Sequence, residues 1–185
     1  MKPKSIIAIT FLSIILSCNS QTNNLQSAKE LFVKNNLNGT FVLYNLSSEK
    51  IKIYNDARAD SIFIPASTFK ILNSLMALEN NVISNENEII KWDGKDKGWK
   101  KWNKDQNMQT AISSSCIWFY QELARRIGKE RMQNGISLSN YGNKKMGAKI
   151  DNFWLKGDLR ISAKEQINFI KKLIKNELPF TKNNQ

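Results

Sequence analysis

The most restrictive feature of this 185-residue sequence is a helical segment, residues 67–79, that is apolar on almost every side. Its apolar positions are Phe69, Ile71, Leu72, Leu75, Met76 and Leu78. A helix that is hydrophobic all round has to be buried all round. The length of the chain suggests one domain. The rest of the chain is therefore expected to pack around this central helix.

The chain contains no histidine. A Ser-His-Asp triad, a Cys-His nucleophile pair and a His-ligated zinc or haem site are therefore excluded for a site built from this chain alone. Acid-base chemistry would have to use lysine, aspartate, glutamate, tyrosine or cysteine. No metal site is predicted.

Hydrophobic periodicity predicts the other elements. A short first helix is expected from Leu25, followed by a β-hairpin formed by residues 39–44 and 50–54. Residues 91–107 break every periodic pattern and are predicted to form a loop. Helical spacing resumes at Ile117 and is expected to end at Gly128. A capping-box pattern, Ser162 followed by Glu165, predicts the start of the last helix.

The excess of positive charge raises the question of nucleic-acid binding. Lysine and arginine number 28 against 16 aspartate and glutamate, a formal net charge of +12. The basic residues are spread along the chain, without a long basic block, so we predict no nucleic-acid partner. The loop at residues 91–107 interleaves Trp92, Trp99 and Trp102 with lysines, which could form a stacking platform for single strands. Packing is the favoured interpretation of these tryptophans.

The N-terminus has the pattern of an export signal. Two lysines precede an apolar run, residues 6–16, which is too short for a permanent membrane span. Residues 15–18, Ile-Leu-Ser-Cys, are typical of a bacterial lipobox, in which Cys18 is acylated. This predicts a signal peptide at residues 1–17, a tether at 18–24 and the folded domain at 25–185. The product would be a periplasmic, outer-membrane lipoprotein whose only membrane contact is its lipid. The alternative is a plain secretory signal.

The strongest chemical signal is the pair Ser67 and Lys70. At positions i and i+3 of a helix the lysine nitrogen can reach the serine hydroxyl. In a chain without histidine, lysine is the available base, provided that burial suppresses its charge. The alternative interpretation is a serine helix cap followed by a solvated lysine. If Cys18 carries lipid, Cys116 stands alone and no disulfide within the chain is expected.

The sequence around this pair resembles the class D (OXA-type) serine β-lactamases. The resemblance includes residues 39–44, 54–59 and 63–70, and it continues through four ordered motifs. These are the Ser67 to Lys70 box, Ser115-Cys116-Ile117, Tyr141-Gly142-Asn143 and Phe153-Trp154-Leu155. The resemblance implies an α+β fold of the β-lactamase/transpeptidase type, an antiparallel sheet flanked by helices. It also implies a β-lactam as the small-molecule substrate.

The resemblance also implies roles for individual residues. Ser67 would be the acylated nucleophile, and Lys70 would become N-carboxylated by carbon dioxide and act as general base. Trp154 would hold the carbamate through its indole N–H, and Ser115 would pass a proton to the lactam nitrogen. The alternatives are a core position for Trp154, a helix cap at Ser115 and a simple turn at residues 141–143. Substrate-binding or structural positions near the site would be Ile117, Tyr141, Gly142, Asn143 and Leu155. No cofactor other than carbon dioxide or bicarbonate is implied.

The sequence departs from the family at its C-terminal end. Family members continue to a Lys-Thr-Gly or Lys-Ser-Gly box on a central strand, and no such box occurs in this sequence. That strand supplies one backbone donor of the oxyanion hole, and removing one donor costs about 100- to 1000-fold in rate. The fold is therefore expected to be incomplete, because the C-terminal strands are absent. The chain alone is expected to fold poorly or to be weakly active.

Two other functions remain open at this point. A β-lactam sensor or penicillin-binding domain would be acylated at the same serine without turnover. A lipid-anchored, non-catalytic binding module would carry the Ser-x-x-Lys pattern by chance. Replacing Lys70 with alanine separates the enzyme from the binding module, because only the enzyme depends on that amine.

Overall fold

The computed structural model describes residues 25–185. The predicted signal peptide at 1–17, the tether at 18–24 and the lipidation of Cys18 lie outside these residues. The α-helices are Gln26–Lys34 (α1), Asp56–Ala59 (α2), Lys70–Glu79 (α3), Met108–Ser113 (α4), Ile117–Ile127 (α5), Lys129–Leu138 (α6) and Ala163–Ile174 (α7). The strands are Phe41–Tyr44 (β1), Ile51–Tyr54 (β2), Ile62–Phe63 (β3) and Ile161–Ser162 (β4), and 3-10 turns cover Ala66–Phe69, Lys100–Trp102 and Lys182–Asn184.

Helix α3 forms the centre of the hydrophobic core, as predicted. Leu72 and Ala77 are completely buried, and so is Phe69 just before the helix. Helices α5 and α6 pack against α3. The approach of α6 is close, since a Cβ added to Gly135 would lie 2.4 Å from Cε of Met76. The helix that carries Lys70 is thus held by the core on several sides.

The predicted hairpin is present, with slightly shorter strands. Strands β1 and β2 are antiparallel, with Phe41 opposite Tyr54 and Tyr44 opposite Ile51. A second antiparallel pair, β3 with β4, joins Phe63 to Ile161. The sequence did not predict this pair, because a strand of two residues is too short to show alternation. It brings the end of the loop at 150–160 beside the segment that leads into the Ser67 turn.

The sequence interpretation also missed α2, α4 and α6. Helix α4 is only six residues long, and its start is fixed by a capping box between Asn107 and Thr110. Helix α6 begins directly after Gly128, whose φ of +81° both ends α5 and turns the chain into α6. The glycine was interpreted only as a stop. The predicted cap of α7 is confirmed, because Ser162 and Glu165 each bond the other's backbone N–H.

Within residues 25–185, no helix combines the length and apolar character needed to cross a bilayer.

Candidate active site

Three side chains from separate parts of the chain meet at the N-terminal end of α3. The Lys70 Nζ donates to Ser67 Oγ and to Ser115 Oγ, each at 2.8 Å. The two hydroxyl oxygens lie 3.0 Å from each other. Ser67 is exposed, whereas Lys70 shows 3% of its surface. The result is an accessible hydroxyl bonded to a buried amine.

Local backbone geometry sets the positions of both serines. Ser67 lies inside the 3-10 turn Ala66–Phe69, and the turn continues directly into α3 with Lys70. Ser115 lies between α4 and α5, where Cys116 is the N-cap of α5. Ala66 and Ser115 have φ of +47° and +51°, a backbone region that residues other than glycine and asparagine rarely adopt. Strain of this kind often accompanies functional sites. Neither serine is a helix cap, so the capping alternatives are wrong.

The surroundings of Lys70 favour its uncharged form. Burial lowers the pKa of Lys70 below its ordinary value of 10.5. The side chain forms no ion pair with any residue in 25–185. Its Nζ lies 5.6 Å from the centroid of the Tyr120 ring. The alternative of a solvated lysine is therefore wrong.

Trp154 is buried and forms part of an aromatic cluster behind the site. Its ring stacks on Phe69, which lies between Ser67 and Lys70 in the sequence, with ring centroids 5.4 Å apart. Phe153 packs edge-on against both rings at 5.0 Å. The carbonyl of Trp154 accepts a bond from the N–H of Ala66 at 2.9 Å. Within residues 25–185 the indole N–H of Trp154 makes no hydrogen bond, and Lys70 bonds to the two serines instead.

The Tyr-Gly-Asn segment fixes the loop that carries Trp154. Tyr141 is buried against Phe69, with ring centroids 5.7 Å apart, and burial raises its pKa to about 12. The amide side chain of Asn143 donates to the carbonyl of Asp158 at 2.9 Å and accepts from the N–H of Arg160 at 3.0 Å. Gly142 has a φ of +52°, and a Cβ there would lie 2.0 Å from the carbonyl oxygen of Arg160. These contacts tie the segment to both ends of the 158–160 stretch.

The remaining predicted site residues, Ile117 and Leu155, lie within two residues of Ser115 and Trp154 in the sequence. Ile117 begins α5, two residues after Ser115, and is half-buried. Leu155 is half-buried and packs against the core beside Trp154. Within the part of the chain that the structure describes, no cluster of acidic, cysteine or histidine side chains could hold a metal ion. Cys116 is free and buried there.

Sequence reasoning missed Tyr120. Its hydroxyl lies 3.1 Å from Ser74 Oγ, and its carbonyl accepts from the Asn73 side chain at 3.0 Å. Both partners belong to α3, one turn beyond Lys70. The helical spacing of α5 identified Tyr120 only as a core position, and no local signal indicated that its ring would face the lysine.

This geometry can be compared with known proteins. The penicillin binding protein transpeptidase domain family matches residues 17–183. β-Lactamase OXA-5 of Pseudomonas aeruginosa is 43% identical over 180 residues, which cover 97% of this chain and 67% of that protein. The crystal structure of FUS-1 (OXA-85), a class D β-lactamase from Fusobacterium nucleatum, superposes with a TM-score of 0.85 at 47% identity. The superposition covers 88% of this chain and 67% of that one.

The chain belongs to the class D β-lactamase family. The α+β fold expected from the sequence is thereby confirmed for the part of the family fold that this chain covers. A class D β-lactamase is not the only kind of protein it resembles, since the regulatory protein BlaR1 of Bacillus licheniformis is 39% identical over 153 residues. That match covers 83% of this chain and 25% of BlaR1.

Proposed function

We propose that this class D β-lactamase chain hydrolyses the β-lactam amide of penicillin-type antibiotics through an acyl-serine. The observation that carries the proposal is the buried Lys70 amine, bonded at 2.8 Å to two hydroxyls, one of them exposed. The naming of OXA-5 as a β-lactamase supports the same substrate class.

In this mechanism Ser67 is the nucleophile. Its Oγ forms a bond to the lactam carbonyl carbon as Lys70, in its uncharged form, takes the hydroxyl proton. Ser115 lies 2.8 Å from the same Nζ and relays a proton to the lactam nitrogen as the carbon–nitrogen bond breaks. The backbone N–H of Ser67 would donate to the developing oxyanion. A water molecule then attacks the ester and releases Ser67.

We also propose that Lys70 is carboxylated by carbon dioxide. Only an uncharged amine reacts with carbon dioxide, and burial lowers the pKa of Lys70. Trp154, with an indole N–H that makes no hydrogen bond among residues 25–185, would hold the group, and Ile117 and Leu155 would provide apolar surroundings. Once formed, the carbamate oxygen would replace the free amine as the base in acylation and would also serve in deacylation.

A time course of intact mass tests the proposal. Soluble residues 19–185 are mixed with benzylpenicillin in bicarbonate buffer, with Ser67→Ala and Lys70→Ala as controls. We expect an adduct in the parent protein that decays as product forms, and no adduct in either variant. A folded parent protein that forms no adduct would contradict the proposal. Turnover that survives Lys70→Ala would overturn the role of the amine.

A second candidate function is acylation without turnover, as in a sensor or penicillin-binding domain. The 39% identity to a regulatory protein favours keeping it as an alternative. The same time course distinguishes the two functions, because an adduct that persists for hours indicates the second. A lipid-anchored binding module that lacks catalysis would give no Ser67-dependent adduct at all.

We propose further that the chain is exported and acylated at Cys18. The support is the sequence alone: a basic start, an apolar run at residues 6–16 and the Ile-Leu-Ser-Cys motif. Metabolic labelling with radioactive palmitate in a bacterial host should label the parent protein and not Cys18→Ala. Equal labelling of the two proteins would contradict lipidation at this residue.

A further inference from the structure

The loop between α3 and α4 carries an excess of positive charge that the catalytic proposal does not use. Residues 91–105 contain six lysines and three aspartates, a net charge of +3. The lysines are Lys91, Lys95, Lys97, Lys100, Lys101 and Lys104.

Two of these lysines are neutralised by neighbours, and four are not. Lys91 pairs with Asp105 at 2.8 Å, and Lys97 pairs with Asp93 at 2.7 Å. The other four are exposed and form no ion pair with any residue in 25–185: Lys95, Lys100, Lys101 and Lys104. Among the described residues, these four positive charges are therefore not neutralised by an ion pair.

Tryptophan contacts attach this loop to the site. The indole N–H of Trp102 donates to the carbonyl of Ser114 at 3.0 Å, one residue before Ser115. The carbonyl of Trp102 accepts from the indole of Trp118 on α5 at 2.8 Å. The 3-10 turn Lys100–Trp102 is thus fixed beside the serine pair, and its two lysines move with it.

The turn is also ordered internally. Gln106 donates to the carbonyl of Lys101 at 3.0 Å, and the Asn103 side chain accepts from the N–H of Lys97 at 2.8 Å. The Nζ of Lys101 lies 5.6 Å from the centroid of the Trp99 ring. Charges on an ordered turn act at a fixed distance from the site, unlike charges on a mobile tail.

We propose that Lys100 and Lys101 form a cationic rim that draws anionic β-lactams to Ser67. The inference rests on the proposed function, because the molecule drawn in is its substrate. Penicillins carry a carboxylate at neutral pH, so a cationic rim raises their local concentration at the site mouth. For two unit charges at a distance on the order of 10 Å from a monoanion, Coulomb's law in water gives a combined effect of roughly threefold. The effect falls with salt, since the screening length is about 10 Å at 0.1 M.

The test is the second-order rate of Ser67 acylation at low and high salt. The double variant Lys100→Gln/Lys101→Gln is compared with Lys29→Gln/Lys34→Gln, which removes the same charge from α1, a helix that packs on β2 away from the site. The probes are benzylpenicillin and its neutral methyl ester. Circular dichroism verifies that both variants keep the parent fold.

We expect the rim variant to react with benzylpenicillin about threefold more slowly than the parent in 10 mM salt. The difference should largely disappear in 500 mM salt and should be absent with the methyl ester. Equal losses of acylation rate in the two variants would overturn the proposal of a cationic rim, because the effect would then come from the net charge of the protein. An unchanged rate in the rim variant would also overturn it. If the parent forms no adduct under any condition, the proposed function fails and the rim fails with it.

Discussion

At the scale of single residues, the structure places one buried amine among groups that give it no countercharge. The Lys70 Nζ donates to Ser67 and to Ser115, and it lies 5.6 Å from the centroid of the Tyr120 ring. Hydroxyls and a ring face replace only part of the hydration that a cation loses on burial. The residue that we propose as the catalytic base therefore destabilises the fold when it is charged.

Lys70→Met should be more stable than the parent protein at pH 7. Methionine fills a similar volume without a charge, and replacing a poorly compensated buried charge with an apolar side chain gains about 1 to 3 kcal/mol. The pKa of Lys70 is lowered in the folded state, so the unfolded chain binds more protons as pH rises toward 10.5. The free energy of unfolding of the parent protein should therefore rise between the lowered pKa and pH 10.5. The difference in stability between the parent and Lys70→Met should become smaller over the same pH range. Urea unfolding at pH 7 and pH 10 measures this, and a variant less stable at pH 7 would contradict it.

The rate of Ser67 acylation should rise with pH in the absence of bicarbonate. Only uncharged Lys70 can take the proton of Ser67, and burial places its pKa below 10.5. The inflection should therefore occur below 10.5. The rate is measured by intact-mass spectrometry of samples quenched at set times, between pH 6 and pH 10. Lys70→Arg is the control, because arginine does not lose its proton in this range. A flat profile would exclude Lys70 as the base.

At the scale of elements, the site depends on a loop that has little regular structure of its own. Residues 150–160 are held at the C-terminal end by Asn143 and the β3–β4 pair, and near the N-terminal end by bonds from Gln121 and Arg125 to Asp151. The carbonyl of Trp154 in turn bonds Ala66, at the start of the Ser67 turn. The Tyr-Gly-Asn segment therefore bears on the Ser67 turn in two ways, through this loop and through the packing of Tyr141 on Phe69.

Gly142→Ala should disturb this loop and slow acylation. The added Cβ would meet the carbonyl oxygen of Arg160 at 2.0 Å, and the φ of +52° adds strain. We expect a loss of about 2 to 4 kcal/mol in the free energy of unfolding and a clear loss of acylation. Gly94→Ala is the matched control, because Gly94 has a φ of +76° and open space around its Cβ position. It should lose only about 1 kcal/mol, and equal losses would show that the contact with Arg160 is unimportant.

How much the sequence could predict varies among these elements. The central helix, the hairpin and the cap of α7 follow from apolar spacing and from the Ser162 and Glu165 pair, which are local signals. The pairing of Phe63 with Ile161 joins residues almost a hundred positions apart, and each strand has only two residues. No local sequence pattern could therefore predict it. The Ser67 and Lys70 pair was evident from spacing, whereas the approach of Ser115 depends on how α3 packs against α5 and was available only from family resemblance.

At the scale of the whole molecule, apolar side chains remain on the surface of the β1–β2 hairpin. Phe41 is 44% exposed, Leu43 46% and Ile51 41%. A two-stranded sheet also offers free backbone groups along its outer edges. Exposed apolar patches and open edges favour association between copies of a chain.

Leu43→Glu should reduce self-association of residues 19–185 without unfolding them. Leu43 stands opposite Lys52 across the hairpin, so glutamate there removes an exposed apolar group and gains an opposite charge as its cross-strand neighbour. Light scattering as a function of concentration measures the change. Ser47→Glu, in the turn of the hairpin, adds the same charge without removing apolar surface. If the scattering intensity falls by the same amount in both variants, the added negative charge explains the change and the apolar patch does not.

The link between Ala66 and the carbonyl of Trp154, together with the stacking of Trp154 on Phe69, has a pharmacological consequence. Displacing the Trp154 loop would remove a backbone hydrogen bond and a ring contact from the turn that carries Ser67. A small molecule that wedges between this loop and the core is expected to inactivate Ser67 from a distance. Such an allosteric inhibitor would need no β-lactam ring, so it would offer the enzyme nothing to hydrolyse.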